Sequence, residues 1–185
     1  VGSEMCIRDS RSVLALVMWA KMNTDLADLS GTLAHTSINF DISVYELFVT
    51  LCCGGCLILV QNALCLAESS DKERVTSINI VPSVMAELNR IDAVPASVRC
   101  INLIGEPLKQ HLVEVLYQRP TLQSVYNLYG PTEDTYCSTY VLLPRDLQSE
   151  PPIGQPIANT QIHILDAQYQ PVPIGVPGEL CIAGA

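Results

Sequence analysis

Short apolar runs alternate along the chain with segments of helical spacing. Strand-like segments lie at residues 32–37, 56–60, 75–81, 99–104 and 124–128. The continuous apolar run at 56–60 is typical of a parallel strand that is buried on both faces. Helical spacing occurs at residues 13–22, 25–29, 44–53, 63–68, 82–89 and 107–117. This alternation predicts an α/β fold in which helices flank a layered, mostly parallel sheet.

The pattern changes after residue 150, where proline and glycine become frequent and the strand-like runs shorten to residues 161–165 and 179–182. We therefore predict a small antiparallel β region behind the α/β part. The expected units are the α/β part at 11–150 and the start of a truncated β subdomain at 151–185. Residues 1–10 lack the periodicity of the rest and are predicted to be a leader foreign to the native protein.

The composition of the chain argues against several classes of protein and binding site. The 185 residues carry a formal net charge of −9, which argues against surfaces that bind nucleic acid or anionic membranes. No apolar run reaches the roughly 18 residues of a membrane span, so a cytoplasmic protein is expected. The 8 cysteines lack the spacing of a disulfide framework. Cys53 and Cys56 form a C-x-x-C pair without the further ligands that zinc needs, so buried thiols are predicted there.

A helix start near residue 41 carries several polar candidates. Ser43 precedes a helical run and Glu46 follows three residues later, which is the spacing of a capping box. Asp41 either caps this helix or places a carboxylate in a pocket, where it pairs with an ammonium group. His35, one strand earlier, is predicted to be a hydrogen-bonded strand-end histidine.

Polar, glycine-rich junctions follow three of the predicted strands, and ligands of open α/β sheets bind at such strand ends. The junctions are residues 39–41, 103–107 and 127–133. The third contains a tyrosine ring suited to stacking, a threonine hydroxyl suited to a phosphate oxygen, and a glutamate suited to Mg²⁺. It predicts a nucleotide–metal site, with a solvated turn as the alternative.

Four segments also match sequence motifs in a fixed order. They read F-D-I-S at 40–43, N-L-Y-G-P-T-E at 127–133, I-G-Q-P-I at 153–157 and G-E-L-C-I-A-G at 178–184. They resemble motifs of the adenylation domains of nonribosomal peptide synthetases, which are members of the AMP-forming adenylate superfamily. The resemblance covers residues 12–185 and implies part of the large N-terminal subdomain of a larger adenylate-forming fold.

The resemblance implies an ATP-dependent ligase for amino acids. Such domains join an amino-acid carboxylate to the α-phosphate of ATP. They then pass the aminoacyl group to the phosphopantetheine thiol of a carrier domain, in an assembly line that also contains condensation domains. ATP, Mg²⁺ and phosphopantetheine are therefore the expected cofactors. The family's phosphate loop, ribose motif and lysine-bearing C-terminal subdomain are absent from these 185 residues, so the chain alone is expected to be inactive.

The resemblance also implies the site residues. Thr132 and Glu133 are the expected catalytic residues, with Glu133 as the Mg²⁺ ligand, and Asp41 is expected to bind the substrate's α-ammonium group. Glu106 has an alternative role as the cap of the helix that starts near Pro107. The expected nucleotide-binding residues are Gly105, Glu106, Asn127, Tyr129, Gly130 and Thr132. The expected substrate pocket consists of Asp41, Ile42, Tyr45, Asn79, Asn102, Ile104, Leu128, Tyr136 and Cys137.

This pocket contains one carboxylate and several bulky side chains. A small neutral amino acid is therefore predicted, with alanine first and glycine or serine as alternatives. The two asparagines bind either a polar group of the substrate or each other. Two other functions remain open. An acyl-CoA or aryl-acid ligase of the same superfamily has no ammonium group for Asp41 to neutralise, and a non-catalytic, truncated binding module has no reaction at all.

Overall fold

Five parallel strands form most of the main sheet, which confirms the predicted α/β class. Across the sheet their order is β2 (Leu57–Leu59), β1 (Thr32–Ala34), β3 (Ser77–Ile80), β4 (Cys100–Ile104) and β5 (Ser124–Tyr129). The computed structural model describes residues 10–131, 134 and 136–183. Residues 1–9 of the predicted leader and the expected catalytic residues Thr132 and Glu133 lie outside these described residues.

The sheet continues beyond β5 with two antiparallel strands that the sequence pattern did not reveal. These are β6 (Thr139–Leu142) and β7 (Gln155–Pro156). A separate antiparallel pair follows, β8 (Gln161–Leu165) and β9 (Glu179–Ala183). This pair confirms the predicted small β region, although β7 attaches residues beyond 150 to the main sheet. The boundary at 150 itself stays a prediction.

The helices lie on both sides of the sheet. Their bounds are α1 (Ser10–Asn23), α2 (Ile42–Val44), α3 (Thr50–Cys52), α4 (Pro82–Arg90) and α5 (Gln110–Leu116). A π-helical segment, Tyr45–Val49, joins α2 to α3 as one helix, residues 42–52. The predicted helices at 25–29 and 63–68 are instead 3₁₀ turns at Asp28–Gly31 and Ala63–Glu68, and a further turn is Lys72–Arg74. Within the described ranges, every helix falls short of the length and apolar character that a bilayer span requires.

The alternation of side chains along the strands builds two apolar layers. In β4, Ile101 and Leu103 pack in the layer under α4 and α5, whereas Ile104 packs in the layer under α1. Asn79 and Asn102 alternate with residues of the α4–α5 layer, so both lie on the α1 face. They stand opposite each other in the register of β3 and β4. The predicted pocket residues of these strands therefore share one face of the sheet.

The predicted cap at Ser43 is wrong. Helix α2 starts directly after Asp41, and the Ser43 hydroxyl donates from inside the helix to the Phe40 carbonyl, 2.6 Å away. The predicted capping box is wrong too, because Glu46 is buried and accepts hydrogen bonds from Thr36. The segment before the helix folds back to supply these donors, and the spacing of residues along the chain does not reveal such a contact.

Candidate functional site

Two cavities open at the edge of the sheet where the parallel strands end. The first, which we call the Asp41 cavity, has a volume of about 560 Å³. The second, the Tyr129 cavity, has a volume of about 490 Å³. Gly105, directly after β4, lines both cavities. A ligand with two parts can therefore extend from one cavity into the other past this glycine.

Gly105 meets a backbone requirement at this junction. Its φ is +89°, a conformation that L side chains rarely adopt. A β-carbon there would also lie 3.4 Å from Cγ1 of Val81. The resemblance implies that Gly105 binds the nucleotide, and the backbone conformation alone already favours glycine at this position.

The Asp41 cavity has a mostly apolar lining, with groups such as Phe40, Ile80 and Val84. Among the described residues that line it, Asp41 is the one acid, and neither lysine nor arginine is present. Asp41 occupies the N-cap position of α2, but its side chain makes no capping hydrogen bond. Because an unpaired carboxylate in apolar surroundings is unfavourable, the arrangement suits a cationic group on a ligand. The side-chain cap predicted as one role of Asp41 is therefore not formed, and its role as a pocket carboxylate stays a prediction.

The remaining predicted pocket residues are buried together. We call this group the pocket floor: Tyr45, Asn79, Asn102, Ile104, Leu128, Tyr136 and Cys137. Its aromatic, aliphatic and thiol members form one packed cluster, and Ile42, which lines the Asp41 cavity, packs against that cluster. Asp41 also lies near the floor, since its charge adds to the burial that raises the pKa of the Cys137 thiol. Of the predicted pocket residues, Asp41 and Ile42 line the Asp41 cavity, whereas the floor residues are buried near it and do not line it.

Aromatic stacking and hydrogen bonds hold the pocket floor in place. The rings of Tyr45 and Tyr136 stack with centroids 4.6 Å apart. The Tyr136 hydroxyl lies 3.2 Å from Oδ1 of Asn79, which also accepts a hydrogen bond of 2.7 Å from Nδ2 of Asn102. The two asparagines therefore bind each other. Burial raises the pKa of both tyrosines and of the Cys137 thiol, so the floor is uncharged at neutral pH.

Tyr136 holds an unusual backbone conformation within this floor. Its φ is +75°, which is rare for a bulky residue. Such strain persists where the surroundings determine the conformation, and it is often found at functional sites. Full burial, the stack on Tyr45 and the hydrogen bond to Asn79 supply those surroundings.

A smaller cavity adjoins the floor on the side of α1. Its volume is about 20 Å³, which is room for one water-sized group. Tyr45 and Leu128 of the floor line it together with Trp19 and Thr24. The Thr24 hydroxyl lies 3.2 Å from the Tyr45 hydroxyl. The Tyr45 hydroxyl therefore has a polar partner on the side of the floor that faces α1.

The Tyr129 cavity gathers most of the residues expected to bind the nucleotide. They are Gly105, Glu106, Asn127, Tyr129 and Gly130. Tyr129 is 40% exposed, so ring surface is available for stacking on a base. Asn127 donates from Nδ2 to the carbonyl of Pro152, 2.8 Å away, which orients its amide. Thr132, the last of the expected set, lies outside the described residues.

Glu106 caps a helix, but not the predicted one. Its Oε2 accepts from the backbone N–H of Ser83 at 2.9 Å, and its Oε1 accepts from the Ser83 hydroxyl at 2.8 Å. These bonds satisfy a free donor in the first turn of α4, whose N-cap residue, Val81, makes no side-chain cap. The expected cap near Pro107 is therefore wrong, and α5 starts only at Gln110. A direct contact of Glu106 with a nucleotide would compete with its bonds to Ser83.

Comparison with known proteins identifies the family. The family model described as AMP-binding enzyme matches residues 6–185. The chain belongs to this family. Relatives include a component of the linear gramicidin synthase of Brevibacillus parabrevis, 53% identical over 173 residues, and the AMB antimetabolite synthetase AmbB of Pseudomonas aeruginosa, 43% identical over 175 residues. Each match covers 94% of this chain but only 3% and 14%, respectively, of the relatives' lengths.

Solved structures of nonribosomal peptide synthetases share the fold of this chain. The synthetase FmoA3 bound to α-methyl-L-serine-AMP matches with a TM-score of 0.83 and 27% identity, over 95% of this chain and 21% of that chain. The same synthetase bound to AMPPNP matches with a TM-score of 0.79 and 26% identity, over 94% of this chain and 20% of that chain. These matches confirm the resemblance drawn from the four motifs.

The Mg²⁺ ion that the family implies has one expected ligand, Glu133, which lies outside the described residues. The part of the chain that the structure describes contains no group of three or more His, Cys, Asp or Glu residues placed to hold a metal ion. Cys53 and Cys56 are free thiols of intermediate burial, so they are less buried than predicted. The metal role of Glu133 therefore stays a prediction.

A polar network at the Asp41 cavity was not predicted from the sequence: one member, Glu46, is buried, and the other two line the cavity. The network consists of His35, Thr36 and Glu46. Burial raises the pKa of Glu46 to about 7 and lowers the pKa of His35. The available signal was an acid inside the largely apolar helical run at 44–53, because a buried carboxyl needs hydrogen-bond partners.

Proposed function

We propose that this chain is part of an adenylation domain that activates a small neutral amino acid with ATP. The amino-acid carboxylate attacks the α-phosphorus, an aminoacyl-AMP forms and pyrophosphate leaves. The aminoacyl group then passes to the phosphopantetheine thiol of a carrier domain, in a multidomain synthetase that also contains condensation domains. The observation that carries the proposal is the Asp41 carboxylate, placed in a mostly apolar cavity that meets a second cavity at Gly105.

The two cavities suit the two reactants. Asp41 binds the α-ammonium group of the amino acid through a charge-assisted hydrogen bond. A purine base stacks on Tyr129 in the neighbouring cavity, and the reacting carboxylate and phosphate meet near the shared Gly105. Holding both reactants in adjacent sites lowers the entropic part of the barrier. Glu133 would hold Mg²⁺, and the bound ion would neutralise phosphate charge.

The pocket floor supports a small and neutral substrate. The stack of Tyr45 on Tyr136 and the paired asparagines already occupy its interior. A charged side chain finds no partner in the uncharged floor, at a cost of several kcal/mol. A long side chain has to displace closely packed groups. We propose alanine first, with glycine or serine as alternatives.

Asp41 also separates this proposal from an acyl-CoA or aryl-acid ligase. A carboxylic acid without an amino group leaves the Asp41 carboxylate without a partner in mostly apolar surroundings, which costs several kcal/mol. An amino acid supplies the missing cation. The chain's family thus allows both reactions, and the charge in the cavity favours the amino acid.

Amino-acid-dependent exchange of pyrophosphate into ATP tests the proposal, measured on the complete protein that contains this chain. We expect the highest rates with alanine, glycine or serine. Asp41→Asn should lower the rate about 100-fold, because it removes one partner of a desolvated charge pair. Asp146→Asn, which changes an exposed carboxylate, should have little effect. Exchange with aryl or fatty acids would contradict the proposal, and ATP binding without any exchange would indicate a non-catalytic module.

A further inference from the structure

Glu46 is an acid in the interior of the helix beside the Asp41 cavity. It lies in the π-helical segment Tyr45–Val49, and 1% of its surface is exposed. π-helical turns are rare and occur often at functional sites. Glu46 is not among the described residues that line the Asp41 cavity. It can therefore act on a ligand there only through other residues.

Both carboxylate oxygens of Glu46 bind Thr36. Oε2 accepts from the Thr36 backbone N–H at 3.2 Å, and Oε1 accepts from the Thr36 hydroxyl at 2.9 Å. Thr36 follows β1 in the chain, so these bonds attach the segment after β1 to the helix at 42–52. Hydrogen bonds to a carboxylate in the interior are among the stronger ones in proteins.

His35 attaches the same segment to β3. Its Nε2 lies 2.9 Å from the carbonyl oxygen of Asn79. Because a carbonyl only accepts, Nε2 must carry the proton and donate. The same nitrogen lies 3.6 Å from Oε1 of Glu46. Residues 35 and 36 are therefore held between the helix on one side and β3 on the other.

The segment from this anchor to Asp41 has little apolar burial of its own. Ile38 and Phe40 are 82% and 64% exposed, so the hydrophobic effect contributes little to holding it. A local hydrogen bond of 2.9 Å from the Phe40 N–H to the Ser37 carbonyl shapes its turn. Its position is set mainly at its two ends, the anchor at residue 36 and the helix start after Asp41.

We propose that Glu46 is a positioning residue for the Asp41 carboxylate. By holding Thr36, it fixes the segment at 36–41 so that Asp41 faces the ammonium group of the substrate. This inference rests on the function proposed above for Asp41. Glutamine is the conservative replacement, because its amide oxygen can still accept from the Thr36 N–H and its amide nitrogen can donate to the Thr36 hydroxyl oxygen.

Steady-state pyrophosphate exchange by the complete protein separates positioning from a general structural role. In Glu46→Ala the KM for the amino acid should rise about tenfold or more while the KM for ATP stays within about twofold. Glu46→Gln should return the amino-acid KM to within about threefold of wild type. Glu73→Gln, an exposed carboxylate on another segment, is the matched control and should change neither constant. Equal rises in both KM values, or no recovery in Glu46→Gln, would overturn the proposal.

Hydrogen exchange of the same protein tests the anchor without turnover. In Glu46→Ala the amides of residues 36–41 should exchange about tenfold faster, with those of β4 unchanged. Thr36→Val removes one of the two hydrogen bonds, so the exchange rates of these amides should increase by a smaller factor. This variant tests the anchor if Glu46→Ala does not fold. Unchanged protection of residues 36–41 overturns the proposal. If wild type lacks pyrophosphate exchange altogether, the proposed function fails, and the protection data still show whether Glu46 positions Asp41.

Discussion

The buried carboxyl of Glu46 should make the stability of the protein depend on pH. Burial raises the pKa of this group from its usual 4.5 to about 7. The folded state therefore holds the proton more tightly than the unfolded chain does. The contribution of Glu46 to the free energy of unfolding is highest below pH 4.5, falls as the pH rises toward about 7, and is constant above that value.

The size of the effect follows from the two pKa values. The interval from 4.5 to about 7 corresponds to about 3 kcal/mol, because one pKa unit is worth about 1.4 kcal/mol. His35 acts in the opposite sense: burial lowers its pKa, so its stabilising contribution is lost as the pH falls through that value. The wild-type curve contains both effects. The difference between wild type and Glu46→Gln isolates the carboxyl, since the glutamine does not titrate.

Urea unfolding followed by circular dichroism measures this difference. As the pH rises from about 5 to about 8, the free energy of unfolding of Glu46→Gln should increase by up to about 3 kcal/mol relative to that of wild type. Removing any acid from a chain with a net charge of −9 also reduces self-repulsion. Glu73→Gln makes the same charge change at an exposed position, so it is the control. The difference between its free energy of unfolding and that of wild type should stay nearly constant over this pH range. A constant difference for Glu46→Gln as well would refute the raised pKa of the buried carboxyl.

Four further substitutions test single positions. Gly105→Ala and Gly175→Ala, at φ values of +89° and +86°, should each lower the free energy of unfolding by about 1–2 kcal/mol. Only Gly105→Ala should also slow pyrophosphate exchange. Equal activity of the two variants would contradict the placement of the active site at Gly105. Ile104→Ala should shift the preferred substrate toward larger aliphatic amino acids, and a substrate panel still led by alanine would count against the pocket floor. Glu106→Ala should destabilise α4 by about 1 kcal/mol in chemical unfolding, and unchanged stability would contradict the cap on Ser83.

The central strands β3, β4 and β5 were predictable because apolar residues recur along each of them in a short segment that lies between segments of helical spacing. The edge strands were not. β6 is short and half exposed, and β7 has two residues, one of which is a proline. Such segments become strands because a neighbour offers hydrogen-bond partners, and the sequence pattern of the segment itself does not record that neighbour.

The site shows the same division between local and long-range information. Asp41, Gly105 and Tyr129 come together because parallel strands end at one edge, which is a rule of topology. The pairing of Asn79 with Asn102 depends on the register of β3 and β4, in which a shift by one residue would turn one of them to the other face. The role of Glu46 also depends on a contact outside its helix, the hydrogen bonds from Thr36. Its spacing from Ser43 fits a capping box and gives no sign of that contact.

The filled pocket floor implies an asymmetric specificity. Under the proposed function, a larger side chain would have to displace Tyr45 or Tyr136. Tyr136 is held by its stack, its hydrogen bond to Asn79 and a constrained φ of +75°. A smaller substrate meets no such obstacle, since glycine in place of alanine merely gives up the contacts of one methyl group. One such group is worth about 1–3 kcal/mol, or roughly 10–200-fold in discrimination. Exclusion of large side chains should therefore be steep, whereas the preference for alanine over glycine should be modest and sensitive to changes such as Ile104→Ala.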